Sequence, residues 1–182
     1  MLTPHLNFST DSHGWSELLP KRKPSPAPNL SAHYKWAVIG AGLTGLSCAR
    51  RLAELHPHDE VLLLDARRVG QGASGRNSGY AVAVSHFSGG YKASEKQTYA
   101  RVNRINQAGL KQLRDLVFDH AIDCAWNERG FHHAAADTLS ARECEHFKHY
   151  LREMEIEHTE LESAALESQL GTALYKTGVH VP

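Results

Sequence analysis

At 182 residues with 41% hydrophobic content, the chain can build one sizeable domain or two small ones around a packed core. Lysine plus arginine equals aspartate plus glutamate at 20 each, so no summed field attracts nucleic acid or acidic membranes. Three widely spaced cysteines (Cys48, Cys124, Cys144), no leader pattern and no apolar run of about 18 residues exclude a disulfide scaffold, a secretion signal and a membrane span, so a soluble cytoplasmic protein is expected.

Residues 1–33 show little periodicity and carry Lys21-Arg22-Lys23-Pro24-Ser25-Pro26-Ala27-Pro28, where alternating prolines favour extended backbone. We read them as an arm or linker, and the basic triplet as a solvated turn rather than a phosphate patch or localisation signal. Trp36-Ala37-Val38-Ile39 and Val61-Leu62-Leu63-Leu64 are continuous apolar runs, the pattern of parallel strands covered on both faces. Between them, Leu43 to Leu55 is rich in helix formers and ends before Pro57, with 56–59 as the return turn, which makes a β-α-β unit.

Further on, Ser94-Glu95-Lys96-Gln97 has capping-box spacing and opens a long amphipathic helix over about 95–119, on which Tyr99, Val102, Ile105, Leu110, Leu113, Leu116 and Val117 recur at helical spacing. A second box, Ser140-Ala141-Arg142-Glu143, opens a helix to about 154, and Ser163 to Leu170 forms a short helix stopped by Gly171. Short strands are expected at 123–127, 130–136 and 173–181. The fold class is therefore α/β, a Rossmann-like unit with a parallel sheet followed by the start of an α+β region.

Gly40-Ala41-Gly42-Leu43-Thr44-Gly45 follows the first strand and opens the first helix. Gly40 permits the tight turn, Gly42 lets backbone approach a pyrophosphate, and Gly45 lets helix and strand pack closely. The helix amino terminus offers N–H groups and a partial positive charge. Asp65, 20 residues after Gly45 and followed by Ala66 and Arg67, is placed to accept hydrogen bonds from ribose hydroxyls and to repel a 2′-phosphate. These residues predict a dinucleotide without separating NAD from FAD, which present the same ADP moiety.

A second patch, Gly70 to Gly79, sets four glycines beside the donors Ser74, Arg76, Asn77 and Ser78. Paired with Val38 to Ser47, the run Gly72-Ala73-Ser74-Gly75-Arg76-Asn77-Ser78-Gly79 resembles the FAD-dependent oxidoreductases of the D-amino-acid oxidase superfamily, in the branch similar to gamma-glutamylputrescine oxidase. The resemblance is strong over 36–80 and looser through the long helix and Arg129-Gly130-Phe131. It implies that Gly40 to Gly45 and Asp65 to Arg67 hold the ADP half of FAD. Gly72, Ala73, Ser74, Gly75, Arg76, Asn77, Ser78 and Gly79 would then lie along the pyrophosphate and flavin. Relatives often carry glutamate at the ribose position, so the shorter Asp65 implies a longer or water-bridged contact.

The implied reaction is oxidation of an amine or amino acid by hydride transfer to flavin N5, giving an imine that hydrolyses; the catalytic residues stay unassigned. The implied organisation is an arm at 1–33, the first segment of an FAD-binding domain at 34–118 and a partial substrate domain at 119–182. Similar proteins are about twice as long, so the chain reads as an amino-terminal portion whose partners are a small amine substrate and the remaining carboxy-terminal portion. An NAD-dependent dehydrogenase and a non-catalytic nucleotide-binding subunit stay open as alternatives.

Thirteen histidines raise a metal hypothesis, but Cys144-x-His146 with His149, and His132-His133, lack four-ligand spacing, and no metal is expected. Adjacent strand residues face opposite ways, so at most one of His132 and His133 points into a pocket, and a surface place is expected for either. Cys48, within the first helix, reads as an inert buried thiol.

Overall fold

The computed structural model describes residues 13–20, 23, 27–29, 33–85 and 90–182. Lys21, Arg22, Pro24 and Pro26 of the basic, proline-rich stretch lie outside the described residues. Packing divides the chain into two compact units, 1–80 and 81–182.

The first unit carries a short helix, α1 (Gly14–Glu17), then β1 (Trp36–Ile39), α2 (Leu43–Leu55) and β2 (Val61–Leu64). The strands pair in parallel, Trp36 with Val61 through Ile39 with Leu64, and the Gly40 N–H continues the ladder to the Leu64 carbonyl at 2.7 Å. At the other end, the Trp36 indole stacks on His56 with ring centres 4.9 Å apart and donates to Asp59 Oδ2 at 3.1 Å, tying the start of β1 to the return turn. The expected double coverage is not reached: exposure alternates along β1, Ile39 is 86% exposed, and β2 is half-buried throughout. α2 likewise buries no residue completely, and Cys48 is exposed rather than buried because the helix turns Gly45, Ala49 and Leu52 inward instead.

The second unit begins with a 3₁₀ turn (Ala93–Glu95) and continues through α3 (Lys96–Asp119), β3 (Phe131–Ala135), α4 (Thr138–Glu153), β4 (Thr159–Glu162), α5 (Ser163–Leu170) and β5 (Thr177–Val181). β5 lies between β3 and β4, antiparallel to both. The core forms where Phe147, Tyr150 and Leu151 of α4 meet Val179 and Val181 of β5, with Tyr99 of α3 and Val84 completing it. Buried Cys144, Phe147, Lys148 and Leu151 recur at three- and four-residue steps, the stripe that a helix turns toward a sheet. Lys148 enters this stripe because its ammonium donates to Glu145 and to Thr177 of β5, both at 2.7 Å. Burial pulls its pKa down, but the hydrogen bond and charge of Glu145, with Glu160 and Cys144 adding to them, outweigh that and leave the net shift upward. Asn103 of α3 and Tyr150 of α4 bond through their side chains at 2.7 Å, so two buried polar groups satisfy each other.

Three expectations need correction. No strand forms at 123–127: Ala125 adopts positive φ (52°), as does Ala121 just before the span (45°), and 121–125 are exposed. The Ser94 box does not form, because Ser94 lies inside the 3₁₀ turn and the N-cap is Glu95 without a side-chain cap. The second box sits one turn earlier than expected, between Asp137 and Ser140. Ser140 N–H donates to Asp137 Oδ1 at 2.8 Å while Asp137 N–H donates to Ser140 Oγ at 3.1 Å. Ser163–Leu170 does form the expected helix, closed by Gly171 at φ 71°.

The backbone and hydroxyl bonds of Ser140 hold the Asp137 carboxyl below the ordinary aspartate value of 3.8. A depressed folded pKa means that the cap stabilises above the unfolded value and that this contribution is lost as pH falls through the lower folded one. Asp137→Ala is expected to lower the melting temperature at neutral pH and to remove this segment of the acid titration, whereas Asp137→Asn retains the cap at both pH values. Thermal melts followed by circular dichroism at neutral pH and below pH 3.8 check both outcomes.

Candidate functional site

The fingerprint lies where the strand's end becomes the helix. The first bond within α2 runs from Leu46 N–H to the Gly42 carbonyl at 2.9 Å, so the N–H groups of Leu43, Thr44 and Gly45 have no acceptor inside the helix. Gly42 is an extended N-cap without a side chain, and the first turn holds no carboxylate. The mouth of α2 therefore presents amide hydrogens and the positive end of a helix dipole, with no acidic group in that turn to repel an anion.

Two glycines in this loop have different reasons. Gly40 turns at φ 101°, a conformation that L side chains rarely adopt. Gly45 is required by contact, since a Cβ there would stand 1.7 Å from the Gly40 carbonyl oxygen. The second patch repeats the contact at the same five-residue spacing, as a Cβ on Gly75 would stand 1.9 Å from the Gly70 carbonyl oxygen. Each loop thus folds a carbonyl tightly beneath a glycine.

The two patches meet at the helix mouth. Leu43 N–H donates to Ser74 Oγ at 3.1 Å, and a Cβ on Gly42 would come within 2.9 Å of the same hydroxyl. Gly72 precedes a 3₁₀ turn (Ala73–Gly75) that projects Ser74 to this point, and Asn77 Nδ2 steadies the turn by donating to the Ser74 carbonyl at 2.8 Å. Asn77 Oδ1 accepts from Gly79 N–H at 2.7 Å, and Arg76 Nε donates to the Gln71 carbonyl at 3.3 Å, as Arg67 does at 3.5 Å. These Asn and Arg side chains therefore shape the patch from within, and Ser78 lies exposed between them.

Asp65 follows β2 directly and reaches back to the fingerprint. Its Oδ2 accepts from Ala41 N–H at 2.6 Å and its Oδ1 from Arg67 N–H at 2.8 Å. These two bonds, Ala41's first, hold the carboxyl below the ordinary aspartate range, so the group is an anion with lone pairs left over. Gly40 to Gly45, Asp65 to Arg67 and Gly72 to Gly79 thus converge, linked through Ala41–Asp65 and Leu43–Ser74.

Sequence reasoning missed His13 and Trp15. One ring nitrogen of His13 bonds the Gly70 carbonyl at 2.8 Å, and the Trp15 indole N–H donates to the Asn77 carbonyl at 2.8 Å. No local pattern announces a partner 57 or 62 residues away, and the one available signal was a lone tryptophan in a polar arm.

His132 and His133 do take opposite faces. His133 sits with its ring 5.2 Å from Phe147, and burial lowers its pKa against a smaller opposing effect of Glu143. His132 packs against His180 across the sheet at 4.6 Å and bonds Gln169 at 2.8 Å. Among the described residues, no group of three or more His, Cys, Asp or Glu side chains is placed to hold a metal, and no helix is long and apolar enough to cross a membrane.

A profile of the family described as "DAO: FAD dependent oxidoreductase" matches residues 35–182. Gamma-glutamylputrescine oxidoreductase of Escherichia coli strain K12 is 33% identical over 121 residues, covering 64% of this chain and 28% of that protein. Probable oxidoreductase OrdL of Haemophilus influenzae is 31% identical over 131 residues, covering 68% of this chain and 29% of that protein. The chain therefore spans less than a third of these curated relatives. Glycine oxidases from Bacillus cereus ATCC 14579 and Geobacillus kaustophilus superpose with a TM-score of 0.63 at 19% and 20% identity, covering 82% of this chain and 39% of each solved chain. That likeness speaks to the fold alone.

Gly45→Ala is expected to destabilise the β-α-β unit by about 1–3 kcal/mol, because the obstacle is a backbone carbonyl that cannot rotate away. Loss of amide-exchange protection across residues 36–64, with residues 131–181 unaffected, is the corresponding measurement.

Proposed function

We propose, on the footing that this chain belongs to the DAO family of FAD-dependent oxidoreductases, that it holds FAD at the mouth of α2 and forms the amino-terminal part of an enzyme oxidising an amine or amino acid. The observation that supports this reading is the Leu43–Ser74 bond at 3.1 Å, which sets the second glycine patch directly on the amino-terminal mouth of α2. The name of the E. coli relative, an oxidoreductase of gamma-glutamylputrescine, supports an amine substrate.

In this reading Gly40, Ala41, Gly42, Leu43, Thr44 and Gly45 hold the diphosphate through amide hydrogens and the helix dipole. The Ser74 hydroxyl accepts from Leu43 N–H and keeps its own proton to donate to a phosphate oxygen. Asp65 is already ionised and anchored by Ala41 and Arg67, and it receives the ribose hydroxyls on its remaining lone pairs beside Ala66 and Arg67. An acceptor-only group there favours an unphosphorylated ribose. Gly72, Ala73, Gly75, Arg76, Asn77, Ser78 and Gly79 line the path toward the ring system. When bound, FAD supplies a two-electron acceptor for hydride from the carbon bearing the substrate nitrogen.

Functionally, 34–118 serve as the first segment of the FAD-binding domain and 119–182 as part of the substrate domain. Packing groups α3 with the sheet that follows it, which is a division by contact rather than by role. We place the protein in the cytoplasm, where its three free cysteines stay reduced, with the rest of the enzyme as its partner.

Gly42→Val separates binding from folding. Gly42 has an extended backbone at φ −79° that any residue adopts, and its nearest obstacle is the rotatable Ser74 hydroxyl, so the fold tolerates the change while the cradle is filled. FAD titration followed by visible absorption is expected to show binding to the wild-type chain and about 100-fold weaker binding to the variant, the scale of one or two charge-assisted hydrogen bonds. An unaltered far-ultraviolet spectrum is expected alongside. Equal flavin retention in the two, or none in the wild type, overturns the assignment.

A further inference from the structure

We infer that the turn of the arm at His13–Trp15 belongs to the cofactor site as its clasp: His13 and Trp15 are positioning residues that fix the second glycine patch in the shape that receives the flavin. The inference rests on the reading above that residues 72–79 lie along FAD.

The arm touches the patch at three places that bracket it. At the start, His13 Nε2 lies 2.8 Å from the Gly70 carbonyl, and since a carbonyl only accepts, this nitrogen carries the proton. Toward the end, the Trp15 indole N–H donates to the Asn77 carbonyl at 2.8 Å. At the end itself, Gly79 turns at φ 81° against the indole, where an added Cβ would stand 3.0 Å from Trp15 Cζ2. Between these points Ser74 ties the patch to α2.

The patch's own bonds span short distances. Gly75 N–H reaches the Gly72 carbonyl, Arg76 N–H the Ala73 carbonyl and Gly79 N–H the Asn77 side chain, so they define local turns but not the path of the loop as a whole. Four glycines in ten residues make that path expensive to order when a ligand arrives. A clasp at both ends removes part of this cost beforehand, which is how preorganisation raises affinity. Two details separate the clasp from incidental packing. Trp15 remains 49% exposed, so the indole is committed to the patch without being sunk into a core. His13 Nδ1 is buried with no hydrogen-bond partner among the described residues, and among these the Gly70 carbonyl anchors the ring.

The test compares FAD affinity, by flavin fluorescence titration, for the full wild-type chain and four variants, with apo unfolding followed in parallel. Trp15→Phe keeps a ring against Gly79 and lacks the N–H, and about threefold to tenfold weaker binding is expected, the scale of one neutral hydrogen bond. Trp15→Ala removes ring and donor together, with a loss of more than about tenfold and an altered visible circular dichroism of whatever flavin binds. His13→Ala weakens binding, whereas His13→Gln, whose amide still donates to Gly70, restores it. Should Trp15→Ala fail to fold, the Trp15→Phe result and the two His13 variants decide. A wild type that binds no FAD overturns the functional reading and this inference with it. A wild type that binds FAD while every folded variant binds within about twofold of it overturns the inference alone.

Discussion

The first unit is organised by an atom that is absent. Because Gly45 has no Cβ, the first turn of α2 settles on the Gly40 carbonyl at a distance that any other residue would forbid. That contact fixes where the helix begins, and so where the three amides without an acceptor inside the helix point. It also brings Ala41 N–H to Asp65, which joins the end of β2 to the loop after β1. Gly70 and Gly75 repeat the arrangement, so the second patch gains a compact turn from which Ser74 reaches Leu43. The geometry of the helix mouth thus descends from sterics, with the charged group of Asp65 added to a shape already set.

The second unit is held differently. Its core is an apolar stripe of α4 laid on β5, but polar pairs fix the register: Lys148 with Thr177, and Asn103 with Tyr150. Arg152 reaches from α4 to Glu160 of β4 at 2.8 Å, pinning the other edge of the sheet. Neutral apolar surface would allow α4 to slide, whereas directional bonds at three points along its length define one placement.

Legibility in the sequence followed the range of the forces involved. β1, α2 and β2 were readable because apolar runs, helix formers and Pro57 act within a few residues. The fingerprint was readable for the same reason. β4 was not: Thr159-Glu160-Leu161-Glu162 has one buried apolar side chain, and its strand character comes from pairing with β5. The caps of α3 and α4 moved because several Ser, Asp and Glu residues compete at each start, and backbone geometry rather than spacing selects among them. Exposure of Cys48 was misjudged because a two-stranded sheet shelters only part of the helix laid on it. The resemblance implied that both glycine runs lie along one ligand but not the bond of Ser74 with Leu43, and the contacts of His13 and Trp15 followed from no local pattern at all.

Those last contacts also set an order of events during synthesis. His13 and Trp15 leave the ribosome first, yet their acceptors follow 57 and 62 residues later, a delay of roughly 3–12 s at about 5–20 residues per second. Strand, helix and strand pair in the meantime over a separation of 25 residues, as between Trp36 and Val61. Closing the longer loop costs about 1 kcal/mol more chain entropy than closing the β-α-β unit, a cost set against two hydrogen bonds.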